Sequence, residues 1–400
     1  MCLLLAMLML SSCGIIEKPK TGKKLTGKEI SAVWISYTEL SMKDENGGNE
    51  DSFRDKISEM FDNCADLGIN TVFAQVRPFC DAMYPSEIFP WSAYLTGYQG
   101  DPVYYDPLEI MVEEAHERGL GLHAWINPFR VSFDTDTDKL SEKNPAKKLL
   151  SDKKTIDRVV TADGGLYLCP ASTENHKLII DGVREIIRNY EVDGIHIDDY
   201  FYPSTDISVD KTYYEEYKKN GGALFYDKWR LEVISSFVSQ MYTAVKSERN
   251  DCVFSISPAG NINNNYEEEY VDVERWCSEK GYCDWIIPQI YYGFENEVLP
   301  FDKACKSWSE LDKTDDVRMI YGIPAYKVNS EEDEFKAGGG IIEKQISAAK
   351  ATDNYGGVAF FSYSSLVDPD CKKEFENIKS SVFTELAPEE EGQQSSGNTE

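Results

Sequence analysis

Asp193-Gly194-Ile195-His196-Ile197-Asp198-Asp199-Tyr200-Phe201-Tyr202-Pro203 is the stretch whose reading decides the fold of this chain. Side chains alternate along a strand, so Ile195 and Ile197 share one face while His196, Asp198 and Tyr200 share the other. A soluble protein rarely turns His and Asp inward side by side unless they bind or react with something. A buried Asp that only accepts backbone hydrogen bonds is the plainer alternative. In a barrel of parallel strands, the C-terminal strand ends form the face that carries active sites. Two carboxylates followed by Tyr, Phe and Tyr then read as acid/base or nucleophile chemistry floored with rings, which suits a sugar.

Outward from this stretch, apolar strands alternate with amphipathic helices. The strands expected are Ile30–Ser36, Thr71–Val76, Gly121–Ile126, Gly194–Asp198, Val253–Ile256, Trp285–Ile290, Met319–Gly322 and Val358–Phe361. The helices expected are Phe53–Leu67, Leu108–Arg118, His176–Tyr190, Ala223–Ser247, Tyr270–Lys280, Pro300–Ser309, Ile341–Thr352 and Cys371–Ser381. Strict alternation argues for an α/β fold with a parallel sheet, and this number of units closes a (β/α)8 TIM barrel. Glycines at Gly68, Gly119 and Gly194 fit helix ends followed by strands. Two stretches are longer than ordinary connections: residues 78–106 after strand two and 127–173 after strand three. Long loops at that end of a barrel build substrate walls. The barrel domain is expected to span residues 30–383.

The chain has 400 residues, is 42% hydrophobic and carries a formal net charge of −29. With a pI near 4.5, it lacks the positive surface that nucleic acid or anionic lipid headgroups require. Leu3–Leu10 is apolar but too short to span a bilayer, as in a signal-peptide core. Leu10-Ser11-Ser12-Cys13 resembles a bacterial lipobox, which implies lipid attachment at Cys13. Residues 1–12 then read as signal peptide, 13–29 as a lipid-anchored tether and 384–400 as a disordered acidic tail. The expected location is extracytoplasmic, on a membrane through the anchor. No Cys-x-x-Cys pair or Cys/His cluster occurs, so neither zinc nor another cofactor is expected.

The ends of the expected strands place polar groups around one cavity. Strand two offers Gln75 and Arg77, with Asp81 just beyond; strand three offers Trp125 and Asn127, then Arg130. Strand four offers His196 and Asp198, followed by Tyr200 and Tyr202. Strand six gives Gln289 and Tyr291, and Tyr326 follows strand seven. Rings present flat faces to sugars, while amides and Arg match hydroxyl and acetamido groups. Glycosidic bonds are normally cut by two carboxyl groups. Asp198, facing inward, is the candidate nucleophile or charge stabiliser. The acid is open between Asp199, which reaches the site only if the strand bends at its end, and Asp81.

The blocks AVWIS (32–36), FAQVRPFCDAMYPSEIFPWSAYLTG (73–97), LHAWINPFRVS (122–132), DGIHIDDYFYP (193–203), DWIIPQIYY (284–292) and GVAFFSYSSL (357–366) resemble the glycosyl-hydrolase-like family 10. That resemblance implies a (β/α)8 glycosidase barrel of bacterial envelope lipoproteins, acting on peptidoglycan glycan. It places Gln75, Arg77, Asp81, Trp125, Asn127, Arg130, Asp198, Asp199 and Gln289 on family motif positions. Strand four is also similar to that of α-amylase-like barrels, in which the Asp198 position is the nucleophile. Their strand-five Glu is missing here, where the chain reads Ser255-Ile256-Ser257-Pro258. Chitinase-like barrels are similar too, but Tyr200 stands where their acid would be.

The leading expectation is a glycoside hydrolase acting on an envelope polysaccharide. The alternative is a glycan-binding lipoprotein that keeps the groove without a working acid, which the missing strand-five Glu favours. A metal-dependent hydrolase using His123, His196 and Asp198 ranks third, because Trp34-Ile35-Ser36 lacks the paired His such barrels use.

Overall fold

Eight parallel strands close on themselves in sequence order in the computed structural model, which describes residues 29–45, 48–336 and 338–381. They are β1 (Ile30–Ile35), β2 (Thr71–Arg77), β3 (Gly121–Ile126), β4 (Gly194–Ile197), β5 (Val253–Ile256), β6 (Trp285–Ile286), β7 (Arg318–Ile323) and β8 (Tyr355–Phe361). One helix of an outer ring follows each strand: α1 (Glu50–Asp66), α2 (Pro107–Glu117), α3 (Thr173–Asn189), α4 (Tyr226–Glu248), α5 (Val273–Ser278), α6 (Phe301–Ser309), α7 (Ile341–Lys350) and α8 (Lys372–Ser381). This is the (β/α)8 barrel expected from the alternation. The expected signal peptide, the tether with Cys13, the acidic tail and the last residue of the expected barrel, Phe383, lie outside the described residues.

Period-two patterning divides the core into two. Ile30, Ala32, Trp34, Phe73, Trp125, Trp285, Ile287, Ile320 and Ala359 fill the barrel interior. Their strand neighbours Val33, Ile35, Val72, Ala74, Leu122, Ala124, Ile195 and Ile197 pack outward with the helices. Burying each large side chain contributes roughly 1.5–3 kcal/mol, so both layers are needed. The helices begin where the sequence supplies caps. Asn49 and Ser52 form a reciprocal capping box on α1, and Asp106 caps α2 ahead of Pro107.

His196 belongs to the interior layer rather than to a sugar-binding surface. The Trp34 indole donates to His196 Nε2 at 2.9 Å, and His196 Nδ1 lies 2.9 Å from Ser255 Oγ. An indole can only donate, so Nε2 is the acceptor and Nδ1 carries the proton toward Ser255. Burial holds His196 neutral, far below its ordinary pKa, and Phe73 stacks on its ring at 4.3 Å. With both nitrogens taken, His196 is a floor beneath Asp198, which corrects its assignment as a substrate contact. Gly194 makes room on the same level, because a Cβ there would fall 2.5 Å from the His123 ring.

The insertion after β3 is a small antiparallel sheet, in the order Arg130–Ser132, Gly165–Leu168, Val159–Ala162. Asp163 and Gly164 both have positive φ, 47° and 78°, the geometry of a tight two-residue hairpin turn. This sheet fixes where Arg130 sits.

Candidate active site

β4 ends at Ile197, and the chain bends at Asp199, where the Phe201 amide donates back to the Asp199 carbonyl at 3.0 Å. The bend brings both carboxylates to the barrel mouth, as required for Asp199 to take part. Trp125 Nε1 donates to Asp198 Oδ2 at 3.0 Å and Asn127 Nδ2 does so at 3.4 Å. Asp198 Oδ1 is buried with no hydrogen-bond partner among the described residues. A buried acceptor left open is uncommon and calls for an explanation, and a reacting group is one. Burial, and then the neighbouring Asp199, push Asp198 up to about 7. Burial also raises Asp199, against hydrogen bonding from Gln289 and the Arg130 charge.

A third carboxylate joins this pair. Glu269, in the loop between β5 and α5, is pushed up to about 8 by burial, then by Asp199 and Glu268, with Asp198 adding to the effect. The Phe201 amide, just past Asp199, works against that rise. Like charges gathered in one buried cluster cannot all ionise, so a proton remains in the cluster at neutral pH, shared among the three carboxyl groups. The sequence reading missed Glu269 because Glu267-Glu268-Glu269 resembles a solvated acidic run. The available signal was Tyr270, a large apolar ring directly after it.

Tyr270 has φ +56°, a conformation that costs a non-glycine residue about 1–3 kcal/mol. Its surroundings hold it there. Arg230 Nη1 donates to Tyr270 Oη at 3.0 Å, and the Tyr202 ring meets it edge-on at 5.1 Å. Arg230 is also in a fully buried ion pair with Asp210 at 2.8 Å, and Tyr202 donates to Asp210 at 2.9 Å. Tyr202 is therefore part of a buried brace behind Glu269, not a ring facing sugar; this too corrects the sequence assignment.

The remaining expected residues divide. Arg130 lies 4.0 Å over the half-exposed Tyr200 ring and 5.0 Å over Phe133, and its backbone amide donates to Asn127 Oδ1 at 3.1 Å. Gln289 Nε2 donates to the Ser257 carbonyl at 2.9 Å, and its side chain opposes the rise of Asp199. Gln75 accepts from the Tyr37 amide at 3.3 Å. Tyr291, Tyr326 and Phe361 form a ring cluster with centroids 5.7–5.9 Å apart. Trp125, Asn127, Arg130, Tyr200, Gln289 and Tyr291 thus gather around the carboxylates.

Arg77 and Asp81 do not. A register shift between Gln75 and Arg77 in the β2–β3 ladder breaks the alternation, so these two residues no longer share a face. Arg77 is buried against Phe89, 4.6 Å over its ring, and beside Gly182 of α3, and it meets the site through the Asn127 backbone carbonyl, to which Nη2 donates at 3.5 Å. Asp81 is buried in the loop after β2. Gln99 Nε2 donates to it at 3.2 Å, while its other oxygen, like that of Asp198, is buried without a partner among the described residues and burial pushes the group up to about 6. Its neighbours are Arg77 and that loop, and neither Asp198 nor Asp199 figures among the main influences on it, so Glu269 replaces it as the candidate acid. Asp81→Asn should therefore keep turnover within a few-fold of the parent, measured on any glycan the parent cuts; a loss as deep as that of a Glu269 variant would restore Asp81 as the acid.

Among the described residues, no group of three or more His, Cys, Asp or Glu is arranged to hold a metal ion. The eight described cysteines are buried and unpaired with one another.

A (β/α)8 barrel with a cluster of carboxylates at its C-terminal mouth is the architecture of many glycoside hydrolases. Solved structures share the fold at low identity. The PgaB (BpsB) glycoside hydrolase domain from Bordetella bronchiseptica aligns with a TM-score of 0.61 at 13% identity, over 88% of this chain and 98% of that one. Alpha-L-fucosidase isoenzyme 2 from Paenibacillus thiaminolyticus aligns at 0.57 and 14%, over 90% and 50%. The chain belongs to the glycosyl hydrolase-like 10 family, whose model matches residues 29–337. Its relatives include glycosyl hydrolase YngK of Bacillus subtilis (strain 168), 32% identical over 93% of this chain and 74% of that protein. Another is glycosyl hydrolase DigH of Escherichia coli (strain K12), 33% identical over 80% and 78%.

Proposed function

We propose that this chain hydrolyses glycosidic bonds in a cell-envelope polysaccharide, with peptidoglycan glycan strands as the substrate. The observation that carries the reading is the cluster of Asp198, Asp199 and Glu269, which keeps a proton at neutral pH beside the open Asp198 oxygen. The Glu269 proton passes to the glycosidic oxygen as the bond to the anomeric carbon breaks, and its electron pair leaves with the departing sugar. Asp198, as carboxylate, opposes the positive charge on the oxocarbenium-like centre or bonds to it. Water then adds to that carbon, and its proton returns to the carboxylate cluster. Trp125 and Asn127 orient Asp198; Gln289 and Arg130 steady Asp199.

The alternative of a glycan-binding protein without an acid rested on the missing Glu at the end of β5. Glu269, further along the same loop, supplies a candidate and removes that ground. Release of new reducing ends from purified glycan strands tests the reading. Strands left intact by a chain that binds them would favour the alternative.

The envelope location follows from Leu3–Leu10 and the Leu-Ser-Ser-Cys boundary. The parent should fractionate with membranes and Cys13→Ala should leave them. A Cys13→Ala protein that still partitions fully with membranes would contradict the anchor.

A further inference from the structure

Two groups of rings flank the carboxylates at the barrel mouth. On one side, Arg130 lies over both Phe133 and Tyr200, at 5.0 and 4.0 Å, and those rings are 56% and 45% exposed. Phe79 backs Phe133 edge-on at 4.8 Å, and Tyr37 packs on Phe79 at 5.5 Å and on Tyr94 at 4.4 Å. This wall rises from the loops after β1, β2 and β3, with Tyr200 contributed from beyond β4. On the other side, Tyr326 is 47% exposed and packs against Tyr291 and Phe361, a wall that rises from β6, β7 and β8. In the closed strand order, the carboxylates after β4 and β5 stand between the two walls on one arc of the mouth, and on the other arc β8 pairs with β1.

Half-exposed rings anchored by their neighbours offer rigid flat faces, and the C–H faces of pyranose rings stack on such surfaces. The charge held between Phe133 and Tyr200 adds donors for hydroxyl and carbonyl oxygens. A pocket that trims sugars from a chain end needs polymer to continue on one side of the bond only. Rings on both sides are useful only if sugars continue in both directions.

We infer that the mouth binds sugar units on both sides of the scissile bond, with Phe133–Arg130–Tyr200 and Tyr326–Tyr291–Phe361 as opposing subsites, so that the chain cuts within a polysaccharide rather than from its end. This rests on the hydrolase reading above only for the cutting, not for the binding.

The test titrates the Glu269→Gln chain calorimetrically with peptidoglycan-derived glycan oligomers of increasing length, and again with Phe133→Ala or Tyr326→Ala added. Affinity should rise with length, and each added substitution should weaken the longest oligomer by about tenfold or more while changing the shortest far less. Products of the unmodified chain should be mixed internal fragments from the earliest times. Affinity that is absent or independent of length, indifference to substitution at either wall, or one small product released from the outset would each overturn the inference. Length-dependent binding across both walls with no cutting would leave the two-sided site standing and overturn the hydrolase reading instead.

Discussion

Asp198→Asn should lower turnover by about 10³-fold or more while the barrel still folds. The substitution keeps the shape that Trp125 and Asn127 hold at 3.0 and 3.4 Å but removes the negative charge facing the reacting carbon. Its effect on stability should run the other way. The Asp198 pKa in the folded chain, about 7, lies above its ordinary value. The folded state therefore binds this proton more tightly than the unfolded chain does. That contribution is complete at acid pH and fades as pH rises through about 7, where a charged, buried carboxylate must be carried. At pH 8 the Asn variant should melt no lower than the parent. Thermal melts across pH, beside turnover on a glycan the parent cuts, separate the two effects. Near-parental hydrolysis by Asp198→Asn would exclude the mechanism.

Glu269→Gln should cost about 10²–10⁴-fold on natural glycans, the range expected for loss of a general acid. An activated aryl leaving group departs without a proton, so much of the loss should be recovered on such a substrate. The pH profile carries a second signature. Glu269 titrates near 8, so parental kcat/KM should fall as pH rises through that value, and the fall should vanish in the Gln variant. An equal deficit on activated and natural substrates would assign Glu269 to structure rather than to proton transfer.

The barrel was legible because its signals are local and repeated. Ile195 and Ile197 outward against His196 and Asp198 inward is period-two patterning that survives into the structure, as is Trp34 inward between Val33 and Ile35. The site was legible where strands stayed regular. Trp125, Asn127 and Asp198 met as spacing implied. Arg77 failed because a single register shift undoes alternation, and nothing in Gln75-Val76-Arg77 announces one. Tyr202 failed because Arg230 and Tyr270 are distant from it in sequence and join it and Asp210 only through the fold. Glu269 went unread because its chemistry comes from burial and from Asp199 and Asp198 as well as Glu268, and only Glu268 is adjacent to it in the chain. The hairpin at Asp163-Gly164 was announced by its dipeptide and could have been read.

Digestion of purified peptidoglycan glycan strands in ¹⁸O-labelled water, followed by mass analysis, tests the central claim most directly. Hydrolysis through Asp198 and Glu269 should place one ¹⁸O at each new reducing end, with about 10²-fold less of that product or lower from Glu269→Gln under the same conditions. Strands left intact by the parent, or fragments that carry no label, would contradict it.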